Sequence, residues 1–196
     1  MRFLRVALWL SRPIPGLLGK QQREANAFLG TVAVSADGSR IYTVSGDPAA
    51  IEQSTVYLSI NHGTNWTHMP SPINRLPDNL CIACSADGIK LIEALGNGGI
   101  SYSTNGGTNL YTSSVSPAGW ISLASSADGA HMVAAASGGS IYLSGDFGVT
   151  WTPTNLPTEA WKSVCTSADG KWIGATSDAH SYISADSGVT WLTNDF

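Results

Sequence analysis

Charged residues and long apolar segments are both scarce in this chain of 196 residues. Only 12% of the residues are charged, about half the usual ~25%, and the formal net charge is −4. A nucleic-acid-binding protein needs a surplus of Lys and Arg to meet phosphates, so this class of function is excluded. No apolar run approaches the ~18 residues of a membrane-spanning helix, which excludes a membrane span.

Two short motifs recur along the chain in a fixed order. The tetrapeptide Ser-Ala-Asp-Gly occurs four times, starting at Ser35, Ser85, Ser126 and Ser167. Each copy is followed by a second motif, Ser-x-Asp-x-Gly-x-Thr-Trp in its full form, starting at Ser59, Ser103, Ser144 and Ser184. Such order indicates four copies of one structural unit. The units cover about residues 27–69, 78–113, 119–154 and 160–196, and together form one domain, residues 27–196.

Each unit predicts four short strands, which we call a, b, c and d. In the last unit these are Trp161–Thr166, Trp172–Ser177, Ser181–Ser184 and Thr190–Thr193. The segments are rich in β-branched and aromatic residues, and the Asp-Gly pair marks a tight a–b hairpin. Four antiparallel strands in ~40 residues is the period of a propeller blade. The sequence therefore predicts an all-β fold, a β-propeller made of four four-stranded antiparallel blades.

The second motif resembles the Asp-box, or BNR repeat, of sialidase-like β-propellers, and the resemblance covers all four units. Copies three and four match every defined position, whereas copy two has Leu110 in place of Trp. The resemblance implies a structural role in the c–d hairpin, where side-chain oxygens accept hydrogen bonds from backbone N–H groups of the turn and Gly takes a positive φ. The implied structural residues are Ser59, Asn61, Gly63, Trp66, Ser103, Asn105, Gly107, Ser144, Asp146, Gly148, Trp151, Ser184, Asp186, Gly188 and Trp191.

The order of the strands predicts where a ligand could bind. In a meander the a–b and c–d turns lie at one end of the sheet, and the b–c and d–a connections lie at the other. The repeated motifs occupy the first end, so we expect function among the irregular connections, unless these vary only because nothing constrains them. The candidate ligand-binding residues are Asp47, Glu52, His68, Arg75, His180 and Trp172, the last expected to be exposed.

Catalysis is the alternative to simple binding. The second motif resembles the Asp-box of sialidases, and as a family sialidases hold the carboxylate of the substrate with three arginines. This chain has only Arg40 and Arg75 after residue 23, so we expect no sialidase activity. A glycoside hydrolase without such arginines needs only an acidic pair among the irregular connections, and the candidate catalytic residues are Glu93, Asp178 and Glu159.

Glu93 is the most unusual of these acids because it shares a strand face with Leu91 and Leu95. Such surroundings raise the pKa of a carboxyl group, as a general acid requires. The simpler interpretation is that Glu93 points into a water-filled central channel.

The cysteines and histidines predict no metal site. Cys81 and Cys84 lie three residues apart on a strand and point to opposite faces, so they cannot share one metal ion. Cys165 falls in a column of alanines, and all three cysteines are expected to be small buried residues. We expect neither a metal nor a cofactor.

Residues 1–26 differ from the rest, with five basic residues and one acid against five and thirteen in residues 27–196. This segment is interpreted as a targeting or membrane-surface segment, a cap, or a decayed blade; the compartment stays undetermined.

The favoured hypothesis is a non-catalytic module that binds a protein or a glycan, or acts as a scaffold. Photosystem II assembly-factor-like propellers carry similar repeats, although their arginine-rich surface has no counterpart here. The Asp-box propellers that this chain resembles form rings of more than four blades. The ring here is therefore a small four-bladed one, is completed by residues 1–26, or is shared between chains, and we expect a protein partner or a second copy to complete it.

Overall fold

The computed structural model describes residues 29–46, 54–69, 81–94, 98–116 and 118–195. These ranges contain sixteen β-strands and no helix. It follows that no helix in this part of the chain could cross a membrane. The predicted N-terminal segment, residues 1–26, lies outside the described residues.

The strands form four sheets of four strands each, numbered 1 to 4 in chain order. Sheet 1 contains β1 (Leu29–Val34), β2 (Ile41–Gly46), β3 (Ser54–Ser59) and β4 (Thr67–Met69). Sheet 2 contains β5 (Cys81–Cys84), β6 (Leu91–Ala94), β7 (Ile100–Ser103) and β8 (Tyr111–Thr112). Sheet 3 contains β9 (Trp120–Ser125), β10 (Met132–Ala136), β11 (Ile141–Ser144) and β12 (Thr152–Pro153). Sheet 4 contains β13 (Trp161–Thr166), β14 (Ile173–Ser177), β15 (His180–Ser184) and β16 (Leu192–Asp195).

Every sheet is an antiparallel meander in which strands pair in chain order. The predicted all-β fold of four four-stranded antiparallel blades is confirmed. In the last unit the fourth strand begins at Leu192 rather than at Thr190, because Thr190 donates both its N–H and its hydroxyl to Asp186 within the preceding turn.

Successive sheets pack face to face through three apolar clusters. We call the side of a sheet that packs on the following sheet its leading face, and the opposite side its trailing face. Between sheets 3 and 4, for example, Val133 and Ile141 of the leading face contact Val164 and Ile173 of the trailing face. Alternation along each strand places successive side chains on opposite faces, which is why both faces of the inner sheets are apolar.

A repeated polar contact accompanies this packing at the Ser-Ala-Asp-Gly turns. The alanine N–H of each turn donates to the alanine carbonyl of the next turn, over 2.7, 2.8 and 2.9 Å at the three joints between sheets. These donors and acceptors form a ladder through Ala36, Ala86, Ala127 and Ala168. The ladder fixes the relative height of neighbouring sheets because each bond needs close alignment of the two turns.

A side chain from each of the first three sheets covers the turn glycine of the following sheet. A Cβ atom added to Gly88, Gly129 or Gly170 would lie within 2.6–2.8 Å of the preceding sheet's side chain. The covering residues are Arg40, Lys90 and His131, respectively. Glycine is therefore required at these turns both for close approach and for a positive φ of 67–73°.

The expectation that all three cysteines are buried is wrong for Cys165. Cys81 is buried and Cys84 half-buried, and burial raises the pKa of each thiol to about 11, which suits unreactive core residues. Cys165 is exposed, because the leading face of sheet 4 has no described sheet packed over it.

Candidate functional site

The two ends of the sheets differ in kind. We call the end with the a–b and c–d turns the turn face, and the end with the b–c and d–a connections the loop face. Within the described residues the loop face includes 113–116, 137–140, 154–160 and 178–179.

Side chains hold the c–d turns of the turn face together. In sheet 4 the Ser184 hydroxyl donates to Asp186 over 2.8 Å and accepts the N–H of Gly188 over 2.8 Å. The indole N–H of Trp191 donates to the Gly188 carbonyl over 3.1 Å. Sheets 1 to 3 repeat the two serine contacts, and sheets 1 and 3 repeat the indole contact. The polar groups of these turns are thus used internally.

The a–b turns are equally self-contained. The first serine of each Ser-Ala-Asp-Gly turn donates to the aspartate two residues on, over 2.5–2.6 Å. The same hydroxyl accepts the N–H of the residue five positions on, over 2.9–3.0 Å. These bonds hold the pKa of Asp37 at about 2, chiefly through the Ser35 hydroxyl.

The predicted ligand residues are only partly brought together. Asp47, Glu52 and Arg75 lie outside the described residues. His68 is exposed in β4, with its ring edge-on to Tyr57 at a centroid distance of 6.2 Å. Trp172 is exposed as expected, but it lies at the turn face, away from the loop connections.

A polar cluster at the loop face of sheet 4 joins two of the predicted residues, Glu159 and His180. The Tyr182 hydroxyl donates to Glu159 Oε1 over 2.5 Å. His180 Nδ1 lies 2.9 Å from the same oxygen, and its Nε2 lies 3.6 Å from Asp195 Oδ1. The d–a connection, β15 and the end of β16 thus meet at one imidazole, and we call these four residues the loop-face cluster.

The electrostatics of the loop-face cluster keep its central carboxylate ionised. The hydroxyl groups of Ser177 and Tyr182, followed by His180, lower the pKa of Glu159. Burial and the bond to Glu159 raise the pKa of Tyr182 to about 12, so the phenol stays protonated and donates. The cluster therefore presents the exposed Asp195 carboxylate and a partly exposed imidazole to a ligand. Glu159, whose Oε2 is buried, and the neutral phenol of Tyr182 hold the imidazole in place.

Asp178 lies apart from the loop-face cluster, in an exposed ion pair. Its Oδ2 lies 3.0 Å from Lys162 Nζ, and both side chains are more than half exposed. Pairs of this kind contribute little to stability.

Glu93 does not point into a water-filled channel, so this expectation is wrong. The side chain is completely buried on the trailing face of sheet 2, in register with Ile82 and Ser101 of the neighbouring strands. With no exposed surface, this carboxyl group does not contact solvent in the described structure.

The described carboxyl groups with a shifted pKa all shift in the same direction. A two-carboxylate glycoside hydrolase needs one acid whose pKa is raised. Among the described groups with a shifted carboxyl pKa, every shift is downward, including that of Glu159. No set of three His, Cys, Asp or Glu residues in the described ranges could hold a metal ion.

Sequence reasoning missed Tyr182 and Asp195. The available signal was the two-residue b–c connection of sheet 4, which places Ser177 and His180 at neighbouring strand ends. Extending β16 to Asp195 pairs that residue directly with His180.

The fold resembles those of solved propeller proteins. A GH74 enzyme of Niastella koreensis matches with a TM-score of 0.69 and 14% identity, over 86% of this chain and 31% of that one. The GH74 xyloglucanase of Xanthomonas campestris matches with a TM-score of 0.56 and 14% identity, over 84% of this chain and 38% of that one. YCF48, solved bound to a D1 peptide, matches with a TM-score of 0.51 and 14% identity, over 90% of this chain and 70% of that one.

The chain thus spans about a third of the length of the GH74 enzymes that it matches. No protein-family model matches the sequence, and no curated protein matches it. The four antiparallel blades and these neighbours establish the class, an all-β fold of the β-propeller type.

Proposed function

We propose that the chain is a non-catalytic propeller module that binds a protein segment or a glycan through its loop face. The observation that carries this proposal is the loop-face cluster, where Glu159 and Asp195 lie on either side of the His180 imidazole. At the turn face the serines and aspartates are bonded within their own turns and repeat from unit to unit, whereas the loop-face cluster joins residues of three separate segments. The module is a rigid scaffold that presents one polar patch.

A basic protein segment suits this patch better than a neutral glycan. Residues 27–196 carry thirteen acids against five bases, so their field attracts Lys and Arg side chains. Ionised Glu159 adds to this attraction, and the exposed Asp195 carboxylate beside His180 can accept a charge-assisted hydrogen bond from such a side chain. The similar structure of YCF48 with a peptide bound is a further reason to test peptides first.

The test compares two charge-neutralising variants in the same sheet. Peptides rich in Lys and Arg, and a glycan array, are screened against the full chain, and each binder is measured by calorimetry. We expect Glu159→Gln with His180→Ala to weaken binding at least about tenfold, a loss typical of one charge-assisted contact. Asp169→Asn, which makes one such change at the turn face, should bind as the wild type does. Equal affinities of both variants would contradict the proposal.

The second candidate is a glycoside hydrolase, which the likeness to GH74 enzymes supports. A panel of chromogenic glycosides, with a fluorogenic sialic-acid substrate included, separates it from the first. We expect no release above that of a Glu159→Gln, Asp178→Asn control, because a general acid with a raised pKa is not found among the shifted carboxyl groups. Turnover that the control abolishes would replace the binding proposal with the catalytic one.

A further inference from the structure

The first and last sheets leave apolar side chains uncovered on the faces that the inner sheets use for packing. On the leading face of sheet 4, Trp172 is 57% and Ile183 is 41% exposed. On the trailing face of sheet 1, Val32 is 39% and Val34 is 49% exposed. The positions matching Val32 in sheets 2 and 4, Ile82 and Val164, are buried in the joints.

Each of these two faces also carries one group of the alanine ladder, a donor on sheet 4 and an acceptor on sheet 1, that has no ladder partner among the described residues. The next donor of the alanine ladder would be the Ala168 N–H, and the preceding acceptor would be the Ala36 carbonyl. Neither group has a partner among the described residues. A donor end and an acceptor end of one repeated contact are complementary by construction.

Trp172 and Gly38 show the same complementarity. Trp172 follows its turn at the position of Arg40, Lys90 and His131, which cover the turn glycine of the following sheet. Gly38 is the matching glycine of sheet 1, and a Cβ added there would meet only His62 Nδ1, at 3.8 Å. On sheet 4, Trp172 thus has no turn glycine to cover, and on sheet 1, Gly38 has no side chain covering it.

We propose that two copies of this chain associate head to tail. The leading face of sheet 4 in each copy packs on the trailing face of sheet 1 in the other, with Trp172 over Gly38 of the partner copy. Making this contact twice uses both end faces and closes a pair of eight sheets with two-fold symmetry. The loop face is not part of the contact, so the pair presents two copies of the loop-face cluster.

The joint between copies is weaker than the inner joints. In sheets 1 to 3 the cross-strand pair at the centre of the leading face joins an alanine to Tyr42, Ile92 or Val133. In sheet 4 the pair is Cys165 and Gly174, and the cysteine Sγ lies 2.9 Å from the place of the missing Cβ. With less apolar area to bury, the association is reversible and depends on concentration.

Light scattering on the full chain tests the association from about 1 µM to about 500 µM, the range of weak reversible affinities. We expect the mass to rise from 20.5 kDa and to level at twice that value. Ile183→Glu and Trp172→Glu should weaken the association at least tenfold. The matched control is Ile60→Glu, which changes a side chain that is 63% exposed. The corresponding Thr104, Gly145 and Ala185 stay exposed in formed joints, so this control should associate as the wild type does.

Two further readouts guard against a variant that merely misfolds. Cys165→Ala with Gly174→Val restores the pair found at the centre of sheet 3, and should tighten the association at least tenfold. In the unmodified chain, the rate of Cys165 labelling by a thiol reagent should fall as concentration rises.

Three outcomes would overturn the proposal. The first is a mass of 20.5 kDa at every concentration for both the wild type and the Cys165→Ala, Gly174→Val variant. The second is a mass that continues to grow beyond two chains, since an open filament is not a closed pair. The third is a monomer in which the thiol reagent labels Cys165 slowly at every concentration. This result would mean that other residues of the same chain cover the leading face of sheet 4.

Discussion

The turn face and the loop face are built by different kinds of contact. At the turn face, side-chain hydrogen bonds such as those of Ser167 and Ser184 join residues two to five positions apart, and sheet after sheet repeats them. At the loop face, the bond from Tyr182 to Glu159 spans 23 residues and occurs in sheet 4 alone among the described residues.

This difference separates the parts of the molecule that can change from those that cannot. A local turn contact depends only on its own motif, so each unit reproduces it whatever the neighbouring sheets contain. A loop-face contact depends on how two or three connections meet, and one substitution can create or remove it. Ligand recognition can therefore differ among chains with the same scaffold.

The largest expected effect concerns an anchor at the loop end of a strand. Trp161 is completely buried, and its indole N–H donates to the Gly139 carbonyl of sheet 3 over 3.0 Å. Trp161→Ala should lower the free energy of unfolding by about 3–5 kcal/mol, the range for a buried aromatic side chain. Urea unfolding measures it, with Ile60→Ala as the exposed control, expected within about 0.5 kcal/mol of the wild type. Equal losses would contradict the burial.

The next effect tests the turn face. Trp191 is half-buried and donates to its own turn, so Trp191→Ala should cost about 2 kcal/mol, less than full burial would. Leu110→Ala, at the same position of sheet 2, should cost less because the indole contact is already absent there. Thermal melting compares the two variants. Unchanged melting temperatures for Trp191→Ala and Trp151→Ala would argue against any structural role for these residues.

A smaller effect is expected within the loop-face cluster. Tyr182→Phe removes the donor to Glu159 and keeps the ring that packs edge-on against Trp161 at 5.3 Å. The loss should be about 1 kcal/mol, as for a typical hydrogen bond. Urea midpoints of Tyr182→Phe and of Tyr102→Phe in sheet 2, which should be near neutral, check this result. A neutral Tyr182→Phe would show that the cluster is not needed for stability.

The smallest effect is a dependence on pH at the turn face. The hydroxyl and N–H of Thr190 hold the pKa of Asp186 at about 2, below the ordinary 3.8. A depressed pKa stabilises the fold above the unfolded value, and this contribution is lost as pH falls from about 4 to about 2. Asp186→Asn matches the natural Asn61 and Asn105 of sheets 1 and 2, and keeps the amide oxygen acceptor.

The variant should therefore lose less stability than the wild type between pH 7 and about pH 2.5. Urea midpoints at both pH values measure this change, and Asp195→Asn at the loop face serves as the charge-matched control. An identical decline in Asp186→Asn and wild type would mean that other groups cause the acid sensitivity.

Sequence patterns predicted the scaffold well because its contacts are local. The two repeated motifs located all four a–b hairpins and all four c–d hairpins, and their spacing predicted four strands in each unit. Trp172 was expected to be exposed and is. Cys165 was misplaced because a column of alanines records the residue size at that position, whereas exposure depends on whether another sheet follows.

The candidate site was only half predictable for a related reason. Glu159 was found because it lies in an irregular connection, and His180 because it directly follows one. Tyr182 lies within a regular strand, and Asp195 lies beyond the predicted end of one. Their meeting depends on strand register, which hydrophobic alternation alone does not specify to the last residue. The same limit applies to Glu93, whose complete burial does not follow from strand alternation alone.

The alanine ladder joins neighbouring sheets in the same way at every joint, whatever the position of the sheet in the series. Each rung uses backbone atoms of a shared tetrapeptide, so this part of the interface is the same at every joint, while the side chains packed beside it differ. Duplication or deletion of a whole unit of about 41 residues would leave the alanine ladder unbroken. The number of units can then change by recombination, while point mutations adjust the side chains that pack beside the ladder at each new joint.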